Sequence, residues 1–66
     1  MNILIKDVKP GHTIRFEFGD YGNMVISKVH SICEFKGDEV HLELSMPYGT
    51  ERVWFGMNDL VELVEV

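Results

Sequence analysis

Apolar residues recur at every second position along most of the chain, and the interruptions between runs hold Gly, Pro, Asn and Asp. A period of two sends successive side chains to opposite faces of an extended backbone, so the pattern predicts a succession of short strands and no helix. Ile3 and Ile5 share one face of the opening run. Lys9-Pro10-Gly11 then supplies a turn, because Pro presets φ at the first corner and Gly accepts a positive φ at the second. In the run from Thr13 to Phe18, the residues Ile14, Phe16 and Phe18 are expected inward and Thr13, Arg15 and Glu17 in water.

The segment from Met24 to Phe35 breaks this regularity. Val25, Val29, Cys33 and Phe35 have one parity and Met24, Ile26 and Ile32 the other, which predicts a strand buried on both faces or one that changes face at a bulge. Lys36-Gly37-Asp38 makes a tight hairpin, after which Val40, Leu42, Leu44 and Met46 face inward opposite Glu39, His41, Glu43 and Ser45. A turn at Met46-Pro47-Tyr48-Gly49-Thr50 leads to a strand over Glu51-Arg52-Val53-Trp54-Phe55. Asn58 or Asp59 is placed to cap a single helical turn, and the chain closes on a strand from Val61 to Val66. The expected fold is all-β: one domain over residues 1–66, a five- to six-stranded antiparallel small barrel with one short 3₁₀ turn before the last strand.

That order resembles the SH3-like small β-barrels, in which five bent strands are joined by short hairpins and a 3₁₀ turn precedes the last strand. The residues that carry the resemblance are Lys9-Pro10-Gly11 before the first barrel strand, and Glu51 to Phe55 followed by Asn58-Asp59-Leu60 and Val61 to Val66. An OB-like barrel shares the same order and spacing. The polyproline-binding branch of the superfamily is identified by an ALYDY segment, an acidic RT loop and paired tryptophans. Here Phe55 follows Trp54, and the Gly19 to Asn23 loop is too short for an RT loop, so polyproline recognition is not implied.

Size and charge narrow the function classes. A chain of 66 residues, 45% of them hydrophobic, buries only about 60% of its unfolded surface and has one core to hold it. Cys33 is the only cysteine, which excludes an internal disulfide and suits a reducing compartment. The formal charge is −5. Residues 1–33 carry four Lys or Arg and three Asp or Glu, a balance of +1, whereas residues 34–66 carry two and eight, a balance of −6. The sign opposes non-specific grip on phosphate backbones. No signal-like or membrane-length apolar run is present, so the expected setting is cytoplasmic with no membrane contact.

Candidate chemistry is sparse. His30-x-x-Cys33, with His41 further on, is the one spacing that suggests a metal, but residues three apart on a regular strand face opposite ways and converge only at a bulge. Cys33 is expected in the apolar core, where a thiol is inert. Asp20, Asp38 and Asp59 sit in turns that favour Asp for local backbone bonds. No enzyme, metal or cofactor is therefore expected.

Of the seven aromatics, Phe16, Phe18, Phe35 and Phe55 fit core positions. Tyr21 and Tyr48 lie in loops, and Trp54 points outward beside Arg52 if Val53 and Phe55 point in. An outward Trp flanked by Arg and Tyr has the composition of an interface hot spot. The expected function is a non-catalytic acidic interaction module, an inhibitor or adaptor that docks on the basic surface of a nucleic-acid-handling protein. Trp54, Tyr48, Arg52, Tyr21 and Glu51 are its candidate contacts, with Glu39, His41 and Glu43 as a polar face on one strand. The alternative is a nucleic-acid-binding barrel that stacks bases on those aromatics. A homodimer through the last strand, taken as a free edge, is a further expectation.

Overall fold

Turn chemistry sets the strand boundaries. Pro10 and Gly11 occupy the corners of a turn closed by a 3.1 Å bond from His12 N to Lys9 O, and Gly11 has φ of 96°, a conformation that a side chain would strain. Gly37 does the same in the hairpin between Lys36 and Glu39, with φ of 59°. The computed structural model describes residues 1–19 and 21–66. The expectation for Asp20 lies outside the described residues.

Between the turns run six strands: β1 (Asn2–Leu4), β2 (Thr13–Phe18), β3 (Asn23–Lys36), β4 (Glu39–Met46), β5 (Gly49–Gly56) and β6 (Leu60–Glu65). All pairings are antiparallel and the order across the sheet is β1-β6-β2-β3-β4-β5. Strands β2 to β5 form a meander, and β6 returns to the free side of β2. The sheet has two edges, β1 and β5, so it is open where closure was expected. It nonetheless curls, because Phe16 of β2 meets Phe55 of β5 edge to face at 5.2 Å although two strands lie between them. No helix among the described residues is long and apolar enough to cross a membrane.

The curled sheet encloses Ile14, Phe16, Val29, Val40, Leu42, Leu44, Val53 and Val61, with Ile5 and Val8 filling one end. Ile5 does not continue the first strand. It opens the one 3₁₀ turn among the described residues, Ile5–Asp7, where its N–H donates to Asp59 O at 2.8 Å. The turn before β6 is not helical. Gly56 and Asp59 bond each other twice there, Asp59 N to Gly56 O at 3.0 Å and Gly56 N to the Asp59 carboxylate at 2.9 Å, which closes a single reverse turn. The expected 3₁₀ turn is thus at the other end of the chain, since the Asp59 side chain takes a donor on Gly56 and spends its geometry on a turn.

Two β-bulges explain the irregular parity of β3. Its register against β4 slips between Val29 and Ser31 and again between Ile32 and Glu34, so His30 and Cys33 are the two extra residues. The inner row becomes Val29, Ile32 and Phe35, paired with Leu44, Leu42 and Val40. Met24 and Ile26 face out, 50% and 62% exposed, so β3 is not buried on both faces. Phe18 and Phe35 were expected in the core but sit at strand ends beyond the enclosed layer and are exposed. The last strand is not an edge either, because β1 covers one side of β6 and β2 the other.

Candidate functional site

Directly opposed residues on neighbouring antiparallel strands share a face, so the register builds the outer surface of β3, β4 and β5 row by row. Glu34, His41 and Trp54 form one row, and Ser31, Glu43 and Arg52 the next. Lys36 and Glu39 stand at one end of the face, and Lys28, Ser45 and Thr50 at the other.

At the centre of this face, Trp54 covers His41. Their rings stack with centroids 4.8 Å apart and an interplanar angle of 9°. Trp54 is itself 62% exposed, whereas His41 is reduced to 5%. Alternation alone predicts a hydrated His41, and the correction comes from its neighbour's size. A carboxylate lies near each ring nitrogen: Glu34 is 3.5 Å from Nδ1 and Glu39 is 3.6 Å from Nε2. Neither nitrogen has a hydrogen-bond partner. Arg52 Nη1 stands 4.0 Å from Glu34, which extends the charged row to β5.

The bulges assemble a second cluster. His30 and Cys33, extra residues on β3, both reach Glu43: His30 Nδ1 lies 3.7 Å from one carboxylate oxygen, and the Cys33 thiol donates to the other at 3.8 Å. Cys33 is consequently half-buried against a carboxylate and not in the apolar core. Among the described residues, no three His, Cys, Asp or Glu side chains form a set that could hold a metal ion.

Beside the outer face, a groove of about 430 Å³ separates the end of β2 from the free side of β5. Glu17, Phe18 and Gly19 form one wall, and Arg52, Val53, Trp54, Phe55 and Asp59 the other. Glu17 and Phe18 were not singled out from the sequence, since nothing local signals that the end of β2 approaches β5.

The structure brings together Trp54, Arg52, His41, Glu39 and Glu43 on one face. It does not add the tyrosines. Tyr48 sits in the β4–β5 turn, roughly 20 Å along the strand from Trp54, and Tyr21 is in the β2–β3 connection, 92% exposed. Tyr48 donates instead to Glu51, whose partner across the ladder is Leu44 on the inner row. That bond, with lost hydration and the carboxylate's charge, raises the Tyr48 phenol above its ordinary value of 10.0. The acidity of the second half is spread over the molecule. Glu34, Glu39 and Glu43 share the outer face with Lys28, Lys36 and Arg52, while Asp38 and Asp59 lie in turns and Glu62 and Glu65 on β6.

Comparisons of the chain with protein-family models, with curated proteins and with solved structures found no match.

Proposed function

We propose that this chain is an SH3-like small-barrel module that works by binding a protein with a basic surface, without catalysis, as an inhibitor or adaptor. The observation that carries this reading is the Trp54 side chain, held flat on the buried His41 ring between Glu34 and Glu39. An indole whose orientation is already set loses little rotamer freedom on binding, and the adjoining carboxylates favour a cationic partner. The formal charge of −5 adds long-range attraction of the same sign. The barrel reading is supported by the β2–β5 meander with β6 returned to the free side of β2, and by the Phe16–Phe55 contact across the curl.

An oligo-arginine peptide, an oligo-glutamate peptide and a single-stranded oligonucleotide titrated against Trp54 fluorescence test the reading. The arginine peptide is expected to bind at low salt, to weaken as salt rises, and to lose most of its affinity for a variant carrying Glu34→Gln, Glu39→Gln and Glu43→Gln. Salt-independent binding of that peptide counts against the proposal. Binding of the oligonucleotide alone replaces it with the nucleic-acid-binding alternative.

A further inference from the structure

The two edges of the sheet differ in how they are finished. β1 is three residues long, which by itself blunts an edge. β5 is eight residues long, has no Pro and no Lys, shows no register shift against β4, and carries Val53, Trp54 and Phe55 in succession. Its protections are limited to the charges of Glu51 and Arg52 and to Asp59 at the Gly56 end, with no Pro, Lys or bulge along it.

The ladder phase identifies which of its backbone groups are free. The β4–β5 hairpin turns through Pro47 and Tyr48, so Met46 and Gly49 are the bonded pair beside the turn, and bonded pairs alternate from there. Thr50, Arg52, Trp54 and Gly56 therefore aim their N–H and C=O away from β4. Two observations agree with this phase: Met57 N donates to Asp38 O at 2.7 Å on the β4 side, and Gly56 has both its groups taken by Asp59 on the other side. Asp59 caps the edge at Gly56. Among the described residues, no backbone bond beyond the β4 ladder reaches Thr50, Arg52 or Trp54.

We propose that β5 accepts an extended, Lys- or Arg-bearing segment of a partner protein as a seventh strand, bonded to the backbone of Thr50, Arg52 and Trp54. This names the docking mode of the basic partner and rests on that reading. The groove beside the edge supplies the charge preference: Glu17 and Asp59 line it, and Arg52, the one cation among its described lining residues, stands 4.0 Å from Glu34 on the outer face. The exposed Trp54 indole offers a face to a cation on the added strand. Phe18, Val53 and Phe55 receive its small apolar side chains. A second copy of this chain is the poorer occupant, because two bodies of charge −5 repel.

The test uses an eight-residue peptide of alternating Val and Arg with blocked ends, a version fully N-methylated on its backbone that keeps charge and side chains but has no backbone N–H, and an alternating Val and Glu peptide. Trp54 fluorescence reads binding and amide hydrogen exchange reads the edge. The Val/Arg peptide is expected to bind, and to slow exchange at Thr50, Arg52 and Trp54, while the N-methylated peptide binds at least about tenfold more weakly. Equal affinity of the N-methylated peptide overturns strand addition and leaves the basic-partner reading standing. Failure of the Val/Arg peptide while oligo-arginine still binds has the same meaning, and failure of both overturns both. Equal binding of the Val/Glu peptide removes the charge argument. A dimer in sedimentation, with these three amides protected in the absence of peptide, makes a second copy the occupant and overturns the proposal.

Discussion

The His41 imidazole lies flat against the Trp54 indole at 4.8 Å, which hides a titratable ring on the face of the sheet that points away from the core. His41 alternates along β4 with Val40 and Leu42, both fully buried on the inner side. At His41 the strand is thus covered on both faces: by the core on one side and by a single large residue of the neighbouring strand on the other.

Removing that residue should uncover the ring. In Trp54→Ala, His41 is expected to become reactive to diethyl pyrocarbonate, whereas His30, whose side chain is 58% exposed, reacts in both proteins. Loss of the ring pair is expected to lower stability by about 0.5–1.5 kcal/mol in urea unfolding. Equal reactivity of His41 in both proteins would falsify the covering role of Trp54.

His41→Phe separates the stacking from the nitrogens. The flat ring is kept and two unbonded buried nitrogens are removed, each of which costs about 1–3 kcal/mol when left without a partner. The variant is expected to be as stable as the parent or more so, with His41→Ala the less stable of the two. A loss of more than about 2 kcal/mol for His41→Phe in urea unfolding would mean that those nitrogens carry bonds to Glu34 and Glu39.

The Tyr48 phenol should titrate above its ordinary value of 10.0, because Glu51 accepts its proton in a hydrogen bond and repels the phenolate. A raised value favours the neutral form in the folded protein. Its contribution is therefore complete below the unfolded value and disappears as pH rises through the folded one. Glu51→Gln removes the charge and is expected to lower the midpoint, followed by phenolate absorbance. An unchanged midpoint would show that Tyr48 and Glu51 do not pair in solution.

Two leucine-sized truncations on opposite faces should differ sharply. Leu42→Ala, at a site with 0% exposure, is expected to cost about 2–5 kcal/mol, a large part of the roughly 3–10 kcal/mol that a domain of 66 residues carries. Ile26→Ala, at a site 62% exposed, is expected to stay within about 0.5 kcal/mol. Chemical denaturation of both variants measures the contrast. Similar losses would mean that Ile26 is covered in solution, as it would be in a dimer.

Much of the fold was legible because strand parity and turn chemistry are local. Ile14, Phe16, Val40, Leu42, Leu44 and Val53 were assigned inward from alternation alone, and all are buried. Trp54 was assigned outward on the same ground. The parity break in β3 signalled a bulge but not its position, since a bulge is defined only against the strand it pairs with. For that reason Cys33 was assigned to the core and its meeting with His30 at Glu43 was missed. Glu34 is one of the eight carboxylates of residues 34–66, and nothing in the sequence signals that it flanks His41. Chain order made the last strand look like an edge, because no local feature records that β1 and β2 cover β6.

The all-β class, the hairpin positions, the inward set and the outward Trp54 follow from residues read a few at a time, because backbone stereochemistry repeats every two residues and Gly and Pro act where they stand. The tertiary structure alone decided which strands are neighbours, where β3 bulges, that His41 is covered, and that β5 presents the long free edge. Those outcomes depend on register between segments far apart in the chain, and the curl of the sheet that joins Phe16 to Phe55 is what settles them.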